Sequence, residues 1–242
     1  ALRFLVTRGL WLMVLEGTWV SFSWYFDFEF THLGVLWAIG GAMVLLATVA
    51  WLPRRVVGIL GLSLTLLLHL FPVPAELAVL GPLCQPGTVV LGGHTFHMSY
   101  AVIPWFGVMA CGYGFADWLS EPEKRRHLVW IGGVMFLAFV ALRALNGYGD
   151  PAPWVLHERG AWATTAAFFN PSKYPPSLMY QLMTIGLALT FVPLLARWKG
   201  RSTDALLVFG QVPMFFYLLH LPLIHVAGVV HARLRYGTNH IP

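Results

Sequence analysis

Long apolar blocks alternate with short polar breaks along the whole of this chain. Seven blocks approach the ~20 residues needed to cross ~30 Å of hydrocarbon: residues 4–24, 33–52, 56–71, 100–119, 128–145, 176–198 and 205–231. The block at 56–71 is the shortest of them. Trp24, Trp51, Trp118, Trp130 and Trp198 fall near block ends, where amphipathic rings prefer the membrane interface. The pattern predicts an all-α fold, a polytopic integral membrane bundle of about seven helices, as one domain over residues 1–242.

Composition agrees with the pattern. The chain is 58% hydrophobic and 10% charged, with a mean hydropathy of +0.70. A soluble domain of this size does not need so much apolar surface. The lipid bilayer is therefore the first expected partner. The net charge of +5 does not point to nucleic acid, because the basic residues sit in short breaks between apolar blocks. Two cysteines, Cys84 in a loop and Cys111 inside a block, have no metal-type spacing, and no metal is expected.

Charge sorts the breaks into two sets. Arg3, Arg8, Arg54, Arg55, Lys124, Arg125, Arg126, Arg197, Lys199 and Arg201 fall on one side of successive crossings. Asp27, Glu29, Glu76, Asp150 and Glu158 fall on the other. The excess of Arg and Lys assigns the first set to the cytoplasm. The longer connections, 72–99 and 146–175, are then extracytoplasmic. They are rich in Gly, Pro, His and Trp, and long loops tend to carry function.

Candidate chemistry gathers on that outer side. The stretch Asn170-Pro-Ser-Lys-Tyr-Pro-Pro-Ser-Leu-Met-Tyr-Gln-Leu-Met-Thr184 runs from a proline-locked turn into an apolar block. It holds Lys173 and Tyr174 at the mouth of a helix. Arg143-Ala-Leu-Asn-Gly-Tyr-Gly-Asp150 ends the preceding block. Its glycines allow a sharp turn that aims Asp150 back at the bundle. Arg143 and Asn146 can be read as an interfacial anchor and a cap; beside Lys173 and Tyr174 they read as part of a substrate site. His220 and His225 lie in the last block at i, i+5, about 140° apart on a helix, so they do not share a face. A histidine inside a span is a candidate for substrate binding, proton transfer or an interhelical hydrogen bond. Pro222 is expected to free a carbonyl for His220. His94 and His97 follow Gly92-Gly93 and read as wet loop histidines. Glu16, mid-block, reads as a proton relay or as the partner of an interhelical donor. On the inner side Arg54, Arg55, Arg125 and Arg126 either anchor the topology or hold the phosphates of a nucleotide-like donor.

Taken in order, several stretches resemble the catalytic membrane domain of the heparan-alpha-glucosaminide N-acetyltransferase family, in its bacterial branch. They are Arg8-Gly-Leu-Trp-Leu12 with Glu16, Ile103-Pro-Trp-Phe-Gly-Val-Met109 with Gly112-Tyr-Gly114, Leu142 to Asp150, Lys173-Tyr-Pro-Pro-Ser-Leu178 with Met183-Thr184, and Pro213-Met-Phe-Phe-Tyr-Leu-Leu-His220 through His225. The resemblance implies a transmembrane acetyltransferase of a bacterial cytoplasmic membrane. Such an enzyme takes the acetyl group from cytoplasmic acetyl-CoA and delivers it to an extracytoplasmic amino sugar or glycan. It also implies further helices before Ala1 and after Pro242, the first of them bearing a catalytic histidine, so the chain is expected to be a truncated domain. Within the chain, His220 is the catalytic candidate. Arg143, Asn146, Asp150, Lys173 and Tyr174 are the substrate-binding candidates, and Arg54, Arg55, Arg125 and Arg126 those for the donor. A homo-oligomer or a larger membrane complex is a further expected partner. The rival functions are a transporter or flippase, and a structural subunit that keeps the fold without activity.

Overall fold

A computed structural model of the chain describes residues 2–68, 81–195 and 200–237. Arg197, Lys199, Glu76 and the end of the 56–71 block lie outside them. Among the described residues the protein is mostly helical, with one small three-stranded sheet. Three helices are long and apolar enough to cross a membrane: Arg125–Leu145, Leu178–Leu195 and Pro213–Tyr236.

The first block forms α1 (Leu2–Leu15), a π-helical turn (Glu16–Val20) and α2 (Ser21–Tyr25) in unbroken succession. It stops at Phe26 in the left-handed conformation. The second and third blocks form α3 (Val35–Val49) and α4 (Arg54–Leu67). At 1.5 Å per residue α3 is roughly 22 Å long, short of a full hydrocarbon core. After the four-residue α5 (Gly81–Cys84), the fourth block breaks at Phe115 into α6 (Val102–Gly114) and α7 (Ala116–Ser120). The fifth forms α8 (Arg125–Leu145) and the sixth α10 (Leu178–Leu195), with the short α9 (Ala161–Phe168) between them.

Helix pairs meet where glycine lets backbones touch. A Cβ on Gly9 of α1 would lie 2.6 Å from the Gly40 carbonyl of α3, and one on Gly61 of α4 2.6 Å from the Gly107 carbonyl of α6. One on Gly132 of α8 would lie 2.5 Å from the Gly186 carbonyl of α10. Small residues facing each other at three helix crossings are the packing mode used where no water drives helices together.

Two expectations change. The last block is not one helix. It splits into α11 (Arg201–Gln211) and α12 (Pro213–Tyr236), because the residue before a proline avoids helical geometry and Val212 sits at φ −123°, ψ 39°. Nor is the fold all-α. β1 (Phe30–Leu33), β2 (Gly87–Leu91) and β3 (His94–Met98) form a sheet of order β1-β3-β2. β2 and β3 are an antiparallel hairpin turned by Gly92 and Gly93 at φ +60° and +83°, the paired positive φ of a tight hairpin turn. β1 joins β3 in parallel, with His32 opposite His97 and Leu33 opposite Met98. His94 and His97 are thus strand residues, not loop residues.

Candidate functional site

The end of α8 is a closed polar knot. Arg143 and Asp150 are both buried and pair at 3.4 Å. The Arg143 guanidinium also donates to the carbonyls of Phe168 (3.0 Å), Ala167 (3.2 Å), Ala152 (3.2 Å) and Asn170 (3.5 Å). Two of these belong to the C-terminal turn of α9, the end of a helix that attracts a cation. The Asp150 carboxylate accepts from the Ala152 and Ser172 amides and from the Ser172 and Ser177 hydroxyls, at 2.8–3.1 Å. Gly149, at φ +91°, turns the chain back, and its carbonyl accepts from the Met179 amide. Asn146 closes α8 in the left-handed conformation, and its side-chain amide exchanges two hydrogen bonds with the Trp154 backbone, at 2.9 and 3.0 Å. Every charge here is matched, as burial demands. The space between the groups is about 10 Å³. Arg143, Asn146 and Asp150 therefore face one another and the backbone.

What the knot holds is the turn that follows it. Ser172 and Ser177, both bound to Asp150, bracket Lys173-Tyr-Pro-Pro176, and the Ser177 hydroxyl accepts from the Tyr180 amide at the start of α10. The Tyr174–Pro175 bond is cis. The turn projects Tyr174 against Tyr100. Their hydroxyls lie 2.9 Å apart with the rings edge to face, and the Lys173 ammonium rests over both rings, 5.5 and 5.2 Å from their centres. The phenols of Tyr100 and then Tyr174 hold the ammonium well above its ordinary pKa, against the opposing effect of burial. Lys173 is a fixed cation.

Tyr174 opens onto a cavity of about 500 Å³. Its wall brings together Glu16, Trp24, His32, His97, Tyr217 and His220, with Tyr100 and Tyr174. The π-helical turn places Glu16 here. The carboxylate is fully buried and accepts from the Gly34 (2.9 Å) and Leu36 (2.7 Å) amides. It caps α3 from a neighbouring helix, since Gly34 carries no side chain to do so. A Cβ on Gly34 would lie 2.7 Å from that carboxylate. The interhelical donors of Glu16 are thus backbone amides.

His220 is held by its own helix. Its Nδ1 lies 3.0 Å from the Phe216 carbonyl. The carbonyl can only accept, so that bond requires the proton on Nδ1 and leaves Nε2 as the ring's second nitrogen. The carbonyl freed by Pro222 is a different one. Leu218, four residues before the proline, accepts the Trp19 indole N–H at 2.8 Å, so the π-helical turn and α12 are joined through the bond that proline cannot make. His225 turns away from the cavity and stacks on Phe26 at 4.2 Å.

His32 is the most constrained group in the wall. Its amide donates to the Ser21 hydroxyl, Nε2 lies 3.3 Å from Ser99 Oγ, and its ring packs against Trp24 and His97. Its Nδ1 is buried, with no partner among the described residues. Burial first, then the nearby His97, pushes the imidazole below the ordinary histidine pKa. Among the described residues no three His, Cys, Asp or Glu side chains come together as a metal site.

The basic residues Arg54, Arg55, Arg125 and Arg126 begin α4 and α8. Arg54 pairs with Asp117 of α7 and lies over the Tyr113 ring; the other three are exposed. The start of α8 meets the same α7 through Trp118 and His127, so both Arg pairs belong to one end of the molecule.

Of the residues singled out from sequence, Glu16, His97, Tyr174 and His220 line the cavity, and Lys173 covers its tyrosines. Arg143, Asn146 and Asp150 stand behind the turn. Trp24, His32, Tyr100 and Tyr217 were not foreseen. Only the sheet and the helix packing bring them in, and no local pattern marks them. No family model, no curated protein and no solved structure matches this chain.

Proposed function

We propose that this chain is a seven-crossing membrane acyltransferase domain that moves an acetyl group from cytoplasmic acetyl-CoA to an extracytoplasmic amino sugar or glycan. The observation that carries the reading is the 500 Å³ cavity, where a histidine tied down through Nδ1 stands among four aromatic rings beside the Lys173 cation. Rings of Trp24, Tyr100, Tyr174 and Tyr217 offer flat apolar faces with polar tips, which suits a sugar ring's C–H face and rim of hydroxyls. The volume falls in the range of small-molecule sites.

In this mechanism the acceptor nitrogen or hydroxyl oxygen attacks the thioester carbonyl carbon. His220 Nε2 takes the proton lost by the nucleophile. The C–S bond breaks, the CoA thiolate leaves, and the proton returns to it. Lys173, positioned by the knot, offsets negative charge at the cavity mouth. Positioning of the two substrates supplies much of the remaining rate.

The inner face supports the same reading. Arginines in the first turn of a helix oppose its dipole, so Arg54, Arg55, Arg125 and Arg126 are not placed to stabilise α4 and α8. Their guanidiniums suit both a cytoplasmic surface and the phosphates of CoA. The test is acetyl transfer from labelled acetyl-CoA, supplied on the Arg side of vesicles containing the protein, to glucosamine on the other. Labelled product trapped opposite the donor is the expected result. Sugar movement that needs a proton gradient and no acetyl-CoA would replace this reading with a transporter.

A further inference from the structure

The sheet has two faces, and they serve different spaces. Strand side chains alternate between faces. His32 and His97 point to the polar cavity described above. Their neighbours Thr31, Leu33, Phe96 and Met98, with Val89 and Leu91 of the hairpin, point the other way. That second face closes another cavity, of about 410 Å³, against Met13, Val14, Gly17 and Trp37.

We infer that this second cavity is a binding site for one hydrocarbon chain of a membrane lipid. Its wall is apolar apart from two threonines, and both are already engaged. Thr18 donates to the Val14 carbonyl, and the Thr31 hydroxyl pairs with His94 Nε2 at 2.9 Å. The Trp37 indole nitrogen is enclosed, with no partner among the described residues. Water entering this space would find almost nothing to bond, and apolar cavities stay dry. A hydrocarbon chain meets no such cost.

The rim says where the occupant comes from. Val14 and Leu91 line the cavity and are also 53% and 64% exposed. The exposed apolar surface continues from Val14 onto Leu10 and Trp11 of α1. An opening ringed by apolar side chains, on a chain whose described residues include three membrane-length helices, faces the medium those side chains prefer. Gly17 keeps the interior open. A Cβ there would make only ordinary contacts, 3.9 Å to Leu33 and 4.0 Å to Thr31, so a larger side chain would grow into the cavity rather than into backbone.

The test uses the protein in vesicles of phosphatidylethanolamine and phosphatidylglycerol, doped with a phospholipid carrying a diazirine on one acyl chain. Irradiation expels nitrogen, and the carbene inserts into a nearby C–H bond, which peptide mapping locates. Leu33 and Met98, 6% and 8% exposed, lie on the cavity floor and should be labelled. Leu223 and Ile224 on the exposed face of α12 serve as the reference for bulk lipid. Gly17→Leu and, independently, Val89→Trp should lower labelling of Leu33 and Met98 at least fivefold and leave Leu223 and Ile224 unchanged. Reference labelling without any at Leu33 or Met98 would overturn the site, as would floor labelling that neither variant reduces. The assay contains no acetyl-CoA and no sugar, so its failure would leave the transferase reading standing, and the reverse.

Discussion

Two polar clusters stand side by side in this protein, and they put their polar groups to opposite ends. In the knot, an arginine, an aspartate, an asparagine and two serines are engaged by one another and by the backbone, and the space there is about 10 Å³. In the cavity, histidines, tyrosines and a glutamate surround about 500 Å³, and the Nε2 face of His220 remains for a ligand. A buried charge is costly until it is matched. Once matched, it is engaged by the protein itself. Chemistry needs groups that are held but not exhausted. The knot gives rigidity to the turn, and the turn delivers Tyr174 and Lys173 to the cavity.

That division can be broken by substitution. Arg143→Met removes one half of a buried ion pair and strands Asp150 and the α9 carbonyls. Such a loss costs about 3–5 kcal/mol and should appear as a large fall in the unfolding temperature or as loss of folded protein. His220→Ala should do the reverse, lowering acetyl transfer by about a hundredfold, the scale of a general base, with the unfolding temperature unchanged. If Arg143→Met left stability intact while abolishing transfer, the knot would belong to the site and the comparison would fail.

Smaller effects sharpen the picture. Arg125→Gln with Arg126→Gln should weaken CoA binding about tenfold or more, since a charge-assisted hydrogen bond to phosphate contributes about 1.5–3 kcal/mol. Sugar binding should be untouched. Isothermal titration with each ligand separately checks this. Asn146→Ala forfeits its exchange with Trp154 and replaces a residue that tolerates the left-handed region with one that does not, for about 1–2 kcal/mol of stability by thermal unfolding. Transfer by the surviving folded protein should persist.

The smallest effect is a pH dependence at His32. Its folded pKa lies below the ordinary value because burial and His97 disfavour the cation. The unfolded chain therefore binds a proton first as pH falls. Stability is complete above the ordinary histidine pKa of about 6.5 and declines as pH drops from there toward the lowered folded value. In His32→Asn this part of the acid limb should flatten, as followed by the unfolding temperature between about pH 7 and pH 5.

Much of the fold was legible in the sequence. Each of the seven apolar blocks contains a helix. The glycine pair at 92–93 between Thr88-Val-Val-Leu91 and His94-Thr-Phe-His97 is a hairpin signal set in an otherwise apolar chain. Pro213 marked the break before α12. These are local matters, set by φ restriction, side-chain branching and hydrophobic runs, and a sequence states them directly. The candidate site was only half legible. Lys173, Tyr174 and His220 stood out as polar groups at membrane depth, and so did Arg143, Asn146 and Asp150. Nothing in their spacing tells a saturated charge from an available one, because saturation depends on carbonyls contributed by α9 and on hydroxyls more than twenty residues away.

By itself, then, the sequence determined which stretches are helical and which breaks are basic, since those follow from each segment's own chemistry. The tertiary structure alone decided which polar residues exhaust one another, that β1 pairs with β3 across some sixty residues, and that the resulting sheet divides a polar cavity from an apolar one. Those outcomes depend on distances between segments, and hydrogen bonds and burial are assigned by distance.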